Sequence, residues 1–169
     1  MDERKIVPED LICYCGYYGG SCALWCGYPH FREAARLLAE WTDSMGFQYW
    51  MPDVVDDFEY DEFRKGLEFL GRERGGLRCT KCCRGGEGNP HCEVRNCCKD
   101  RELHVCFDCD DITSCEKIKK FPKILKRFEE YKLLGREKWL KQQVEKAEKG
   151  FELHTEKYYT IQTENPAQK

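Results

Sequence analysis

Cysteine is the feature that most constrains this chain, since 13 of its 169 residues are cysteines, all between positions 13 and 115. A thiol-rich stretch of this kind is organised either by disulfides or by metal ions. Leu, Ile, Val and Phe together make up about a fifth of the chain, which is near the limit at which apolar burial offsets the entropy of ordering. We therefore expect metal ligation to supplement a small hydrophobic core.

Disulfides are the less favoured of the two organisations. The N-terminus is highly charged and leads into no apolar run of signal-peptide length. No segment approaches the roughly 18 consecutive apolar residues of a membrane span. The odd number of cysteines excludes complete pairing within one chain. We therefore expect a cytoplasmic protein whose clustered cysteines are ligands or redox groups, with the cytosol of a hyperthermophile as the setting where disulfides remain an alternative.

Two C-x-x-C steps predict the nucleus of a zinc site. They are Cys79-Thr80-Lys81-Cys82 and Cys106-Phe107-Asp108-Cys109, and 23 residues separate them. Two residues between thiolates let one tight turn direct both sulfurs at a single ion, about 2.3 Å away for zinc. Two such turns complete a tetrahedron, although the gap is slightly longer than in common zinc ribbons.

The remaining cysteines are too numerous for one ion, so we expect two zinc ions. The second ligand set is drawn from a group that lies before, between and after the two steps: Cys15, Cys22, Cys92, Cys97 and Cys115. Another four cysteines are either spare buried thiols or further ligands: Cys13, Cys26, Cys83 and Cys98. His91 and His104 lie near thiols, but a surface or hydrogen-bonding role is favoured for both.

An iron–sulfur cluster is the alternative occupant of the same thiolates. Neither the bacterial nor the plant-type ferredoxin spacing occurs, although clusters are also built from scattered cysteines. Catalysis has little support, because the sequence contains no phosphate loop, dinucleotide fingerprint or H-E-x-x-H motif. We expect a binding or scaffolding protein in preference to an enzyme, with an electron-transfer subunit of an anaerobic enzyme as the alternative.

The apolar periodicity predicts a mostly α fold, with helical pairs packed around irregular cysteine-rich loops and little β structure. Residues 1–116 form the cysteine-rich domain, into which a helical pair at 30–71 is inserted. The first of these helices stops at Gly46, and the second begins near Pro52. Residues 117–150 form basic C-terminal helices, and residues 151–169 form a polar tail in which alternation favours one edge strand.

The charges are unevenly distributed, although the net charge is only −3. Residues 37–63 contain eight acids and no base, whereas residues 117–149 contain twelve bases against five acids. We expect a protein partner that docks through the basic helices or exposed aromatics. Nucleic-acid binding through the basic helices is a further, less favoured alternative, and no membrane is expected.

The order of the cysteine motifs resembles the cysteine-rich archaeal and bacterial family catalogued as domain of unknown function 3795. The resemblance covers roughly residues 11–142, and the step Cys92-Glu93-Val94-Arg95-Asn96-Cys97 is its most specific part. It implies a metal-binding module, found in soluble prokaryotic proteins, to which no activity is assigned. The chain departs from the family pattern at Gly19, where a cysteine is expected between Cys15 and Cys22, and in a longer step from Cys109 to Cys115.

Overall fold

A computed structural model describes residues 6–72, 79, 82–85, 89 and 91–161, apart from the side chain of Cys82. That part of the chain holds seven α-helices and one antiparallel hairpin of two short strands. The helices are α1 (His30–Ser44), α2 (Phe47–Val54), α3 (Tyr60–Gly71), α4 (Glu93–Asp100), α5 (Glu116–Lys119), α6 (Pro122–Leu134) and α7 (Arg136–Glu148). The strands are β1 (Phe151–Glu152) and β2 (Lys157–Tyr158). The expected mostly helical fold is confirmed.

The inserted helical unit contains three helices where the sequence indicated two. As expected, Gly46 ends the first helix, because its φ of 66° is in the left-handed region that favours glycine. Pro52 lies inside α2 instead of starting the next helix, and α3 begins at Tyr60. A proline lacks the amide hydrogen that a helix interior needs, so α2 ends within two residues of it. Arg64 on α3 donates two hydrogen bonds to the carboxylate of Asp43 on α1, from Nε at 2.8 Å and from Nη2 at 2.7 Å. This contact joins α3 to α1.

The cysteine-rich segment and the C-terminal helices share one hydrophobic core. Phe107, from the cysteine-rich segment, contacts the rings of Phe128 and Tyr131 on α6 and of Trp139 on α7. Trp139 is completely buried. Helix α7 also packs against the short turn Gly19–Ser21 of the N-terminal loop. The C-terminal helices therefore help to position the cysteine-bearing loops.

A hairpin replaces the single edge strand expected from the alternating residues near the C-terminus. The two strands pair Phe151 with Tyr158 and Glu152 with Lys157. The chain reverses between them, and Leu153 in the turn is buried and donates its amide hydrogen to the carbonyl of Ser21 at 2.9 Å. The prediction of one strand was wrong because the chain reverses within the alternating stretch, where Glu156 has a φ of 56°. Across the described residues, no helix has the length and apolar character needed to cross a membrane.

Gly16 is a glycine whose replacement we expect to disturb the core. Its φ is +76°, and a Cβ built there would stand 2.0 Å from Cζ of Phe107 in the core. Gly16→Ala is therefore expected to lower the free energy of unfolding by about 2–4 kcal/mol through backbone strain and overpacking. Urea denaturation followed by circular dichroism measures this change in the free energy of unfolding. Gly66→Ala is the matched control, because that position in α3 has nothing within 4 Å and alanine favours helix. Equal stability of the two variants would contradict the prediction.

Candidate metal centre

Five cysteines line one cavity of about 240 Å³ in the cysteine-rich segment. We call it the thiol cavity, and its cysteines are Cys97, Cys98, Cys106, Cys109 and Cys115. Apolar side chains, including those of Val94, Leu103 and Ile118, form much of the remaining wall. Four of the five cysteines belong to the predicted ligand sets, and Cys98 was left undecided between a spare thiol and a ligand.

A repeat of short turns brings three of these cysteines together. The amide of Cys109 donates to the carbonyl of Cys106, that of Ile112 to Cys109, and that of Cys115 to Ile112, at 3.2, 3.2 and 3.3 Å. Side chains three residues apart lie on the same side of such 3₁₀-type turns. Every third residue from 106 to 118 therefore faces the thiol cavity. The signal was present in the sequence, because Cys106, Cys109 and Cys115 are spaced by multiples of three.

Helix α4 supplies the other two cysteines from adjacent positions, which point in different directions. Cys98 is 1% exposed and donates its thiol hydrogen to the carbonyl of Tyr14, with sulfur and oxygen 3.7 Å apart. Cys97 is half-buried at the cavity wall. The carbonyl of Tyr14 also accepts the amide hydrogen of Cys106 at 2.8 Å. Tyr14 thus holds α4 and the turn of Cys106 against the N-terminal loop.

The surroundings of two thiols in the thiol cavity, those of Cys98 and Cys106, favour neutral sulfur. Burial, followed by the neighbouring Cys97, raises the pKa of Cys98 to about 12. Burial and then the nearby Cys15 raise the pKa of Cys106 well above its usual range. Desolvation and like charges both penalise a thiolate, and a metal ion reverses both effects. One positive group is already present, since Nη1 of Arg101 lies 3.0 Å from Sγ of Cys109.

A second group of thiols, the thiol trio of Cys13, Cys15 and Cys83, lies in the N-terminal loop and the turn after Cys82. The side chain of Cys13 hydrogen-bonds both of the others, and these bonds are the largest causes that lower the pKa of Cys15 and the pKa of Cys83, the latter to about 6. The amide of Tyr14 lies 3.4 Å from Sγ of Cys83. Cys83 was not among the predicted ligands, because nothing in an adjacent Cys-Cys pair indicates which member meets a distant loop.

The other predicted ligands lie outside the thiol cavity, and the backbone of Cys79 pairs with the segment that carries Cys22 and Cys26. Cys79 forms a parallel bridge with Trp25, and its carbonyl accepts the amide hydrogen of Cys26 at 2.9 Å. Sγ of Cys22 lies 3.8 Å from Nε2 of His154. Cys92 precedes α4 as its N-cap. The side chain of Cys82 lies outside the described residues, so the predicted nucleus of Cys79, Cys82, Cys106 and Cys109 stays a prediction.

Nine of the described cysteines are free thiols: Cys15, Cys26, Cys83, Cys92, Cys97, Cys98, Cys106, Cys109 and Cys115. Within the same part of the chain, no three Cys, His, Asp or Glu side chains already stand where they could hold one metal ion. The sulfurs of the thiol cavity therefore surround a space and do not converge on a point. Ligation of a single ion requires these side chains to rotate inward.

Residues 11–120 match the model of the family described as Protein of unknown function (DUF3795). The chain belongs to this family. The match includes every cysteine of the chain and the inserted helices, and it ends just before α6. No curated protein and no solved structure matches the chain. Family membership thus confirms the expected resemblance, while the description of the family assigns no reaction or ligand.

Proposed function

We propose that the protein is a zinc-stabilised module that binds a protein partner in the cytoplasm. The observation that carries the metal-binding part is the thiol cavity, in which cysteines from α4, from the turns after it and from the start of α5 meet. Thiolates are the preferred ligands of structural zinc, and a closed set of four is the usual arrangement. The free thiols of Cys97, Cys98, Cys106, Cys109 and Cys115 are consistent with a reducing compartment.

Four of the five cavity cysteines would serve as zinc ligands: Cys97, Cys106, Cys109 and Cys115. Cys98 is the member left out, because its thiol already donates to the carbonyl of Tyr14 and points into the core. When bound, zinc would supply the positive charge that lets buried thiolates ionise. Arg101 would remain beside Cys109 and offset part of the negative charge of a four-thiolate site.

An iron–sulfur cluster is the second candidate, and the dimensions of the thiol cavity favour it. A space of about 240 Å³ surrounded by five sulfurs exceeds what a single ion needs. Elemental analysis and an absorption spectrum of anaerobically purified protein distinguish the two. We expect about one or two zinc ions per chain and no visible absorption. Iron with inorganic sulfide and a brown colour would overturn zinc in favour of the cluster.

The partner-binding part rests on an exposed apolar surface of the inserted helical unit. Nine of the fourteen large hydrophobic side chains exposed in the described residues come from this unit. We call this surface the aromatic face, and its residues are Leu38, Trp41, Met45, Tyr49, Trp50, Val54, Phe58, Phe63 and Phe69. Helix α2 has no buried residue, although most of its side chains are apolar. A short helix of this composition is ordinarily buried, so a partner is expected to cover it.

The charges around the aromatic face define the chemistry of that partner. All eight acids of residues 37–63 are exposed. Within the described part of the chain, two of them form ion pairs, Asp43 with Arg64 and Glu62 with Lys65, and the other six form none. Exposed aromatic anchors in the same helical unit as exposed carboxylates fit an amphipathic helix that presents apolar residues flanked by Lys and Arg. We therefore assign a basic amphipathic segment of another protein as the occupant.

Tryptophan fluorescence tests this assignment, because Trp41 and Trp50 both lie on the aromatic face. A synthetic amphipathic helix of Leu and Lys is expected to bind saturably, and its Leu and Glu counterpart is expected not to bind. Tyr49→Ala should weaken the Leu and Lys peptide about tenfold or more, as a truncated interface anchor does. Leu133→Ala is the matched control, because Leu133 is equally exposed on α6, away from the aromatic face.

Two outcomes would contradict the assignment of a basic partner. Equal binding of the acidic and basic peptides would show that charge does not select the partner. Concentration-dependent dimers in sedimentation, abolished by Tyr49→Ala, would identify a second copy of the chain as the occupant.

A further inference from the structure

A second cavity, of about 330 Å³, lies where the C-terminal hairpin meets the start of α1. We call it the hairpin cavity. Its walls are almost entirely apolar and include Tyr28, Phe31, Ala34, Tyr159 and Ile161. Its volume is within the range of small-molecule sites, which combine apolar walls with a few fixed polar groups. It lies apart from the thiol cavity, and the hairpin that closes it falls outside the family match.

The hairpin cavity contains one buried carboxylate, that of Glu152, which is 4% exposed. Oε1 accepts the amide hydrogen of Ala23 at 3.2 Å, and Oε2 accepts those of His154 and Thr155 at 3.0 and 2.8 Å. These amides orient the carboxylate without neutralising it. The cavity is lined by no Lys or Arg of the described part of the chain, and its basic side chains are those of His30 and His154. The carboxylate can accept about four hydrogen bonds, so an acceptor site remains on Oε1.

Three aromatic rings, those of Tyr28, Phe31 and Tyr159, form much of the wall of the hairpin cavity, and the imidazoles of His30 and His154 also line it. The hydroxyl of Tyr28 donates to the carbonyl of Gly150 at 2.8 Å, so its polar end is already engaged and its ring remains as wall. Burial, followed by the negative charge of Glu152, raises the pKa of Tyr28 to about 12, which keeps this hydroxyl protonated. The faces of such rings attract cations, and organic ammonium ions are the usual guests of aromatic cages.

We propose that the hairpin cavity binds a small organic ammonium ion, with its charge against Glu152 and its alkyl groups against the aromatic rings. A hard metal ion fits less well, because calcium and magnesium need six or more oxygen ligands and the cavity offers one carboxylate. An organic ammonium ion offers a positive charge to the buried carboxylate of Glu152 and alkyl groups to the apolar walls. Binding at this site is independent of the thiol cavity and of the aromatic face.

Calorimetric titration with choline and with 3,3-dimethyl-1-butanol, its uncharged isostere, tests this proposal, with n-butylammonium as a second cation. At least one cation is expected to bind saturably at millimolar concentration or below, and the isostere about tenfold more weakly or not at all. Glu152→Gln is expected to remove the preference for the cation. Because this change also disturbs the hairpin turn, Phe31→Leu provides a second variant, which should weaken choline while the fold is retained.

Glu156→Gln is the matched control, because Glu156 lies on the same hairpin, is exposed and does not line the hairpin cavity. Its affinity for the cations should equal that of the unaltered protein. Equal affinity for choline and its isostere would overturn the proposal, and so would the absence of binding by both cations at millimolar concentration. Unchanged binding in Phe31→Leu and Glu152→Gln would place the ligand elsewhere.

Discussion

Replacement of Cys109 by serine is expected to release metal from the protein and to lower its free energy of unfolding by several kcal/mol. Cys109 stands in the middle of the turns that carry Cys106 and Cys115 around the thiol cavity. Apparent zinc binding contributes about 10–16 kcal/mol in small zinc-dependent domains, so loss of one thiolate removes a large part of the folding energy. Zinc content after dialysis and urea denaturation of the same sample measure the two effects.

Cys98→Ser is the matched control for this prediction. Cys98 lines the thiol cavity, but its thiol donates to the carbonyl of Tyr14, a bond that serine can also make, so metal content should be unchanged. Metal content of Cys79→Ser and of Cys115→Ser then distinguishes the ligand set predicted from the C-x-x-C spacing from the set that lines the thiol cavity. The C-x-x-C spacing predicts that Cys79 is a ligand, whereas the thiol cavity includes Cys115 in its place. Unchanged metal content and melting in both Cys106→Ser and Cys109→Ser would refute a thiolate metal centre in this cavity.

Trp139→Ala is expected to lower the free energy of unfolding by about 3–5 kcal/mol, as truncation of a large buried aromatic does. Trp139 is fully buried, and its ring centroid lies 5.5 Å from that of Tyr131 and 6.4 Å from that of Phe107. Phe107 belongs to the turn that begins at Cys106, so the cavity left by alanine would also loosen one wall of the metal centre. Denaturation monitored by circular dichroism measures the loss.

Trp50→Ala is the control, because Trp50 is 46% exposed on α2. Its effect on stability should stay below about 1 kcal/mol, as is usual for surface positions. Comparable destabilisation by the two substitutions would mean that α7 does not share a core with the cysteine-rich segment. Trp50→Ala should instead weaken binding of the basic peptide, so the two substitutions distinguish an effect on stability from an effect on partner binding.

Local sequence patterns predicted the helices well where one feature was sufficient. Gly46 ends the first helix as expected, Pro122 begins α6, and Gly135 follows the last residue of α6. The periodicity failed between Gly46 and Tyr60, where Pro52 in the last turn of α2 resembled the start of a longer helix. The apolar periodicity also did not predict α4, because a helix of eight residues with two adjacent cysteines has only a short apolar stripe.

The sequence by itself determined that this chain is helical, rich in cysteine and divided into acidic and basic segments. It also determined that Cys106 and Cys109 share a turn, because two intervening residues restrict their separation. Only the tertiary structure decided that Cys97 and Cys115 join them, and that Cys83 meets Cys13 and Cys15. Spacing along a chain constrains neighbours within a turn. Contacts between distant loops depend on how helices such as α4 and α7 pack, and that packing involves the whole core at once.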